Sequence, residues 1–371
     1  MTSSTRIQRI AISTGGGDAP GLNAVIRAAV LSSLNRGWHC VGIRDGYNGL
    51  LMPEQYPEGG LIPLSREAVR GITATGGTIL GTTNRGNPLH FPVPRADGTI
   101  EEVDRSDELI RAFRLHQIDA LISIGGDGSL AIASVLAKKG LRVVGVPKTI
   151  DNDLDGTVIT FGFDTATSFA TSAIDRLHST ADAHGRVMVV EVMGRYAGWI
   201  ALTCGIAGTA DAILIPEIPY DLASVARRVD RAEEEAQKYC IVVVAEGAKP
   251  KGGTVSVAKA GEIGRAEKLG GAGERVSAEL EALTGRETRC VVLGHLLRGG
   301  SPTSFDRLLA LRFGAAAVRA LEEGQSGIMV ALDPPTVNYV PLDEATRRMK
   351  VVPLDCDSVK TARDLGICFG D

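Results

Sequence analysis

Apolar residues along this chain fall in short, unbroken runs separated by glycine-rich or polar stretches. The runs at 121–124 (Leu-Ile-Ser-Ile) and 143–146 (Val-Val-Gly-Val) are of this kind. Unbroken apolar runs of this length predict parallel strands buried on both faces, whereas alternation would predict a half-exposed strand. Residues 129–139 between them suit a crossover helix, capped by Ser129 and stopped by Gly140. Two adjacent parallel strands deliver the loops that follow them to one sheet edge, where open α/β sheets bind ligands.

The same rhythm runs through the chain. Residues 9–13 predict a first strand. A glycine-rich turn at 15–21 leads into a helix whose buried stripe is Leu22, Val25, Ile26, Ala29 and Val30. Further strands are expected at 38–43, 187–192, 212–216, 241–245 and 289–293. Helices are expected at 105–116, 168–179, 222–239 and 274–283, and from near Pro302 to 322. Residues 88–98 are Pro-rich and read as a surface connector; residues 249–273, rich in Gly and Lys, read as a surface insertion. Strands alternating with helices predict a doubly wound α/β fold.

Composition narrows the class. A length of 371 residues suits two domains, and 45 glycines suit many strand-to-helix turns. Aromatics are only 4%, so the cores should be aliphatic. A net charge of −4 argues against bulk nucleic-acid or anionic-membrane partners. No apolar run approaches the ~20 residues that span a bilayer, and the first residues lack a signal-peptide core. The six cysteines are scattered without a CxxC pair, so free thiols and a reducing cytoplasm are expected.

Two loops carry candidate chemistry. Gly125-Gly126-Asp127-Gly128-Ser129 reads as a phosphate cradle, because glycines let backbone N–H groups approach phosphate oxygens at a helix N-terminus. Asp127 fits an anion site only through a cation such as Mg²⁺; the plain alternative is a tight turn with a capping Asp. In Lys148-Thr149-Ile150-Asp151-Asn152-Asp153, two carboxylates flank an asparagine, and like charges disfavour joint ionisation unless a cation or donor intervenes. The alternative is an Asx-rich turn.

These loops do not stand alone. GGDGS and PKTIDND occur together with GGGDAPGLNAVIR at 15–27, DGYNGL at 45–50, IDRLH at 174–178, VEVMGRYAG at 190–198 and GRETRCVVLGHLLRGGSP at 285–302. The ordered set resembles the phosphofructokinase family over nearly the whole chain. The resemblance implies two doubly wound, Rossmann-like domains with mostly parallel sheets. The donor domain would be 1–162 plus 297–347, and the sugar-phosphate domain 163–296 plus 348–371. It implies a glycolytic kinase that moves the terminal phosphate of ATP to the 1-hydroxyl of fructose 6-phosphate with Mg²⁺.

Carried over residue by residue, the resemblance makes Asp151 the base, with Thr149 and Arg195 at the reacting phosphoryl group. Asp127 would hold Mg²⁺, with Asp153 in support. Gly16, Gly17, Arg85, Gly126, Gly128, Ser129 and Lys148 would face the donor. Thr149, Ile150, Met193, Gly194, Arg195 and Glu246 would line the sugar. Arg186, Arg289, His295 and Arg298 would clamp its phosphate, since arginine forks match phosphate oxygens. Arg186 and Arg289 would come from a neighbouring subunit, which implies a homo-oligomer, dimer or tetramer, with shared sites.

Two departures matter. Gly128 favours ATP, because a carboxylate there would repel the α-phosphate. Lys148 resembles pyrophosphate-using members, and Ile132 replaces a usual glycine beside the nucleoside. ATP is the expected donor; the alternatives are pyrophosphate as donor, sedoheptulose 7-phosphate as acceptor, or a non-catalytic sugar-phosphate-binding subunit. In the family's effector cleft Arg27 matches a basic residue, but Leu31, Thr75, His178 and Gln237 stand where others sit. Weak control by ADP and phosphoenolpyruvate is therefore expected.

Overall fold

The computed structural model describes residues 7–95, 97–234, 237–259 and 268–371. Seven strands make the larger sheet, in the order Thr336–Pro341, Ile328–Asp333, Arg142–Pro147, Ala120–Gly125, Arg9–Thr14, His39–Ile43 and Leu61–Pro63. The five inner strands are parallel; each edge strand is antiparallel to its neighbour. The smaller sheet holds Thr288–Val292, Val187–Val192, Cys240–Ala245 and Ala212–Leu214, all parallel.

The unbroken apolar runs have a direct structural cause. Ile122, Ile124, Val144 and Val146 belong to one hydrophobic core, while Leu121 and Val143 belong to another on the opposite face. Both faces of the sheet are covered by helices, so alternate side chains enter different cores and both sets are mainly apolar, with Ser123 the polar exception in its strand.

Helix ends depart from expectation. The crossover helix is Asp127–Lys138, so it starts two residues before Ser129. Gly126 is its N-cap, and an acidic first residue suits the positive end of the helix. Ser129 is therefore not the cap. A Cβ built on Gly125 would lie 2.3 Å from the Ser129 Cβ, and one on Gly15 would lie 2.6 Å from its Oγ. Ser129 is wedged between the two glycine loops instead.

The helix expected at 168–179 is Phe163–His184. Its start is hidden among threonines, and its cap comes from far away in sequence. Asp306 Oδ2 accepts from Thr165 N at 2.7 Å and from Thr165 Oγ1 at 2.6 Å. The helix beginning at Leu222 ends at Glu234. Of its expected extension, residues 235 and 236 lie outside the described residues, and 237–239 are not helical. The Pro-rich connector contains a hairpin of Phe91–Pro94 with Ile100–Val103. Of the expected 249–273 insertion, 260–267 lie outside the described residues; the flanks pair as Val257–Lys259 with Lys268–Leu269.

The C-terminal segment crosses over to the smaller sheet. Cys368 bridges to Ala212, with Ile213 N donating to Cys368 O at 2.8 Å. All six cysteines are unpaired. Among the described residues no helix is long and apolar enough to cross a membrane.

Candidate active site

The order of the larger sheet reverses at Arg9–Thr14, whose neighbours are the next strand in sequence on one side and Ala120–Gly125 on the other. Loops leaving the carboxyl ends of these two strands must diverge, which opens a crevice. Gly15 N donates to Ile124 O at 2.9 Å and Gly16 N to Thr83 O at 3.2 Å. Gly16 needs the left-handed region, with φ of 77°. A Cβ on Gly128 would meet nothing within 4 Å, so this first-turn position lies open to the crevice.

The crevice continues into a cleft of about 470 Å³ that both sheets line. Of the expected residues, Gly16, Gly17, Arg85, Gly126, Asp127, Gly128, Ser129, Lys148, Thr149, Asp151, Asp153, Arg195 and Arg298 line it. Ile132 lines it as well. Asn84, beside Arg85 and in register with the family's donor-side arginine, lines it too. Sequence reasoning missed Tyr47, Tyr196 and Met349 as lining residues. Tyr47 and Tyr196 sit inside the recognised blocks; Met349 had no comparable signal.

Ile150 corrects an expectation. Its side chain is fully buried in the core beneath the smaller sheet, so it does not reach into the cleft. This burial anchors the loop on either side of it. Asp151 N donates to Thr149 Oγ1 at 3.1 Å, and Thr160 Oγ1 donates to Thr149 O at 2.7 Å.

Burial dominates the electrostatics. It pushes the Asp151 carboxyl up to about 7, with the charge of Asp153 acting in the same direction. Arg298 and Lys148 oppose that rise. Asp151 Oδ1 is buried with no hydrogen-bond partner, the state of a carboxyl waiting for a polar group. Burial also raises Asp153, against a hydrogen bond from Thr149, and the Asp127 charge adds to the rise. Burial brings Lys148 down to about 8, helped by the like charge of Arg298. Lys148 Nζ donates to Gly17 O, which ties the second loop to the first glycine turn.

The smaller sheet supplies the opposite wall. Met193, Gly194 and Arg195 follow strand Val187–Val192, and Glu246 follows Cys240–Ala245. Gly247 N donates to Gly194 O at 3.1 Å, and a Cβ on Gly247 would lie 2.0 Å from Arg195 O. The two loops are thus packed backbone to backbone. Burial raises the Glu246 carboxyl and Glu191 adds to it, while Arg298 and Arg195 pull it down. Glu246 in turn contributes to the rise at Asp151. Met193, Gly194 and Glu246 are not among the residues that line this cleft.

Arg298 and His295 share the turn Gly294–Arg298. Arg298 Nη1 donates to Asp18 O at 3.2 Å. His295 is exposed on that turn and does not line the cleft. Arg186 and Arg289 are not brought to it either. Arg186 precedes strand Val187–Val192, so it lies roughly 20 Å from Met193 at the far end of a six-residue strand. Arg186 Nε donates to Glu287 at 2.7 Å and Arg289 Nη2 to the same carboxylate at 2.5 Å.

Two glycine turns, the Asp151 carboxyl and the arginines Arg195 and Arg298 meet in a cleft lined by both sheets of a doubly wound α/β protein. The phosphofructokinase family signature spans residues 9–321, and the chain belongs to that family. It is 51% identical to an ATP-dependent 6-phosphofructokinase of Chloroflexus aurantiacus over 364 residues, 98% of each chain. It is 47% identical to ATP-dependent 6-phosphofructokinase 1 of a Synechocystis species, covering 98% of this chain and 99% of that one. Among solved structures, a phosphofructokinase of Pichia pastoris in the T-state superposes with a TM-score of 0.78 at 29% identity. That match covers 98% of this chain and 37% of the Pichia chain. A pyrophosphate-dependent phosphofructokinase of Marinobacter aquaeolei shares the fold, with a TM-score of 0.79 at 22% identity, covering 97% of this chain and 91% of that one.

Proposed function

We infer that the protein is a phosphotransferase that moves the terminal phosphate of ATP onto the 1-hydroxyl of fructose 6-phosphate, a step of glycolysis. The observation that carries the reading is Asp151. It is a half-buried carboxyl raised to about 7, with one buried oxygen unpartnered, in a cleft faced by glycine turns and arginines. A carboxylate poised near neutrality is suited to accept a hydroxyl proton.

Phosphoryl transfer is chiefly positioning and charge stabilisation. Gly16, Gly17, Gly126 and Gly128 would admit the donor phosphates to backbone N–H groups. Ser129 keeps the two turns apart. Lys148 and Arg195 would offset negative charge at the reacting group. Arg298 would bind the sugar phosphate and Glu246 the sugar hydroxyls. Asp151 would take the proton of the attacking hydroxyl, and Thr149 would bind the transferring group.

The residues fit Mg²⁺. Asp127 and Asp153 lie close enough for the charge of one to raise the carboxyl of the other, a repulsion that a cation relieves. Among the described residues no cluster of three or more His, Cys, Asp or Glu groups could hold a metal; Mg²⁺ typically takes one or two carboxylates and completes its shell with water and phosphate oxygens. Bound by Asp127 with Asp153 beside it, the ion would neutralise charge on the donor oxygens.

We read the assembly as a homo-oligomer in which Arg186 and Arg289 complete the cleft of a neighbouring copy, because both lie outside their own. The donor domain is taken as 1–162 plus 297–347 and the sugar domain as 163–296 plus 348–371, in a cytoplasmic enzyme. The test is a coupled assay with ATP or pyrophosphate as donor and fructose 6-phosphate or sedoheptulose 7-phosphate as acceptor. The reading expects the highest kcat/KM for ATP with fructose 6-phosphate; a preference for another pair would replace it.

A further inference from the structure

A short piece of the C-terminal segment touches both loops that carry the reacting groups. Met349, which lines the cleft, forms a bridge with Leu154. Lys350 N donates to Asp153 O at 2.8 Å. The Lys350 ammonium then turns beneath the base loop. It donates to Asn152 Oδ1 at 2.9 Å, to Thr157 O at 2.9 Å and to Val158 O at 3.1 Å. An ammonium has three protons, and here each has an acceptor. On the other side, Trp199 Nε1 donates to Lys350 O at 2.9 Å. The Trp199 ring lies 5.8 Å from the ammonium, within cation–π range. Two residues on, Val352 N donates to Glu217 Oε1 at 2.8 Å, and the same carboxylate accepts from Gly198 N at 3.0 Å.

The base loop needs such a partner. Asn152 has φ of 52°, in the left-handed region that asparagine adopts more readily than most residues. Its neighbours Asp151 and Asp153 repel each other in a buried setting. Asn152 Oδ1 is held on both sides, by Lys350 and by Thr160 N at 3.1 Å. The Arg195 loop lies only a few residues before Gly198 and Trp199. One stretch of backbone thus fixes Asp151 through Asn152 and Asp153, and Arg195 through Gly198 and Trp199.

We propose that Lys350 is a positioning residue for phosphoryl transfer: it straps the base loop to the Arg195 loop, so that groups from the two sheets meet the substrates in one register. The proposal rests on Asp151 and Arg195 acting as described above. Lys350→Met keeps the aliphatic stem and removes the three donors. The expected result is a kcat lower by on the order of 10- to 100-fold, the scale of a small misplacement. KM for both substrates should stay within about twofold, since the loss falls on the transition state. Lys350→Arg, which keeps a cation and donors, should recover part of kcat. Trp199→Phe keeps a ring and removes one donor, and should lower kcat by a smaller factor.

A purely structural role would lower the melting temperature and leave kcat per folded site unchanged. Wild-type kcat in Lys350→Met, or a loss that follows only the folded fraction, overturns the proposal. Should Lys350→Met fail to fold, unchanged kcat in Trp199→Phe overturns it. Wild-type turnover with ATP and fructose 6-phosphate is read separately: its absence sinks the functional reading and this proposal with it, whereas an active wild type matched by its variants sinks the strap alone.

Discussion

A Cβ on Gly17 would lie 2.9 Å from Arg298 Nη1, so the first glycine turn and the arginine of the facing turn share one boundary. The neighbour is the far end of a flexible side chain, so Gly17→Ala should fold. It should push Arg298 off its bond to Asp18 O and out of register with a phosphate. KM for fructose 6-phosphate should rise roughly tenfold or more, the scale of a lost charge-assisted hydrogen bond. Steady-state kinetics at saturating ATP, with a melting curve, would check it.

Gly128 separates donor chemistry from stability. Its Cβ direction is open, and it sits in the first turn of Asp127–Lys138, where an added carboxylate favours the helix. Gly128→Asp should therefore melt no lower than wild type. Its carboxylate would face the α-phosphate of ATP, so kcat/KM for ATP should fall by at least roughly tenfold. Kinetics with ATP and with pyrophosphate, set against calorimetry, would separate the effects.

Arg186 and Arg289 hold one carboxylate, Glu287, away from their own cleft. If they serve another copy, two dead variants should rescue each other. Asp151→Asn and Arg186→Ala, each nearly inactive alone, should regain activity when dissociated and mixed. Random pairing restores roughly a quarter of the sites. No recovery on mixing would place these arginines outside the active assembly.

At three of the positions that match the family's effector cleft, the polar side chains are engaged within the chain. His178 is bonded at both ring nitrogens, to Tyr239 Oη at 3.0 Å and Gly208 O at 2.7 Å. Gln237 donates to Asp211 at 2.9 Å. Arg27 donates to Val69 O at 3.0 Å. Little cationic density is left for a polyphosphate. ADP and phosphoenolpyruvate should change turnover by less than about twofold, a coupling near zero, in a titration at sub-saturating fructose 6-phosphate.

The strands were legible because Leu121 and Ile122 enter different cores, which favours apolar residues on both faces. Loop chemistry was legible because it is contiguous: Asp127 with Gly128, Thr149 with Asp151. Helix starts were not, since Thr165 is capped by Asp306, 141 residues away. Ser129 looked like a cap because its role as a wedge depends on Gly15 from another strand. Lys350 gave no signal at all; its acceptor Asn152 lies 198 residues earlier, and only the return of the chain across both sheets brings them together. His295 and Ile150 were placed by motif, yet one faces solvent and the other the core.

The central claim is that Asp151 removes the hydroxyl proton, and a pH–rate comparison of wild type with Asp151→Asn tests it most directly. Burial, then the charge of Asp153, raises the carboxyl to about 7, so the base is neutral below that pH and charged above it. Wild-type kcat/KM should therefore fall as pH drops through about 7. Because the folded state holds this proton more tightly than the unfolded one, Asp151 also costs stability as pH rises from about 4 through 7. The variant should lose kcat by roughly 10²- to 10⁴-fold with little change in KM, lack the limb near neutrality, and melt above wild type at alkaline pH. A variant turning over like wild type, or a wild-type rate flat across neutral pH, would contradict the account.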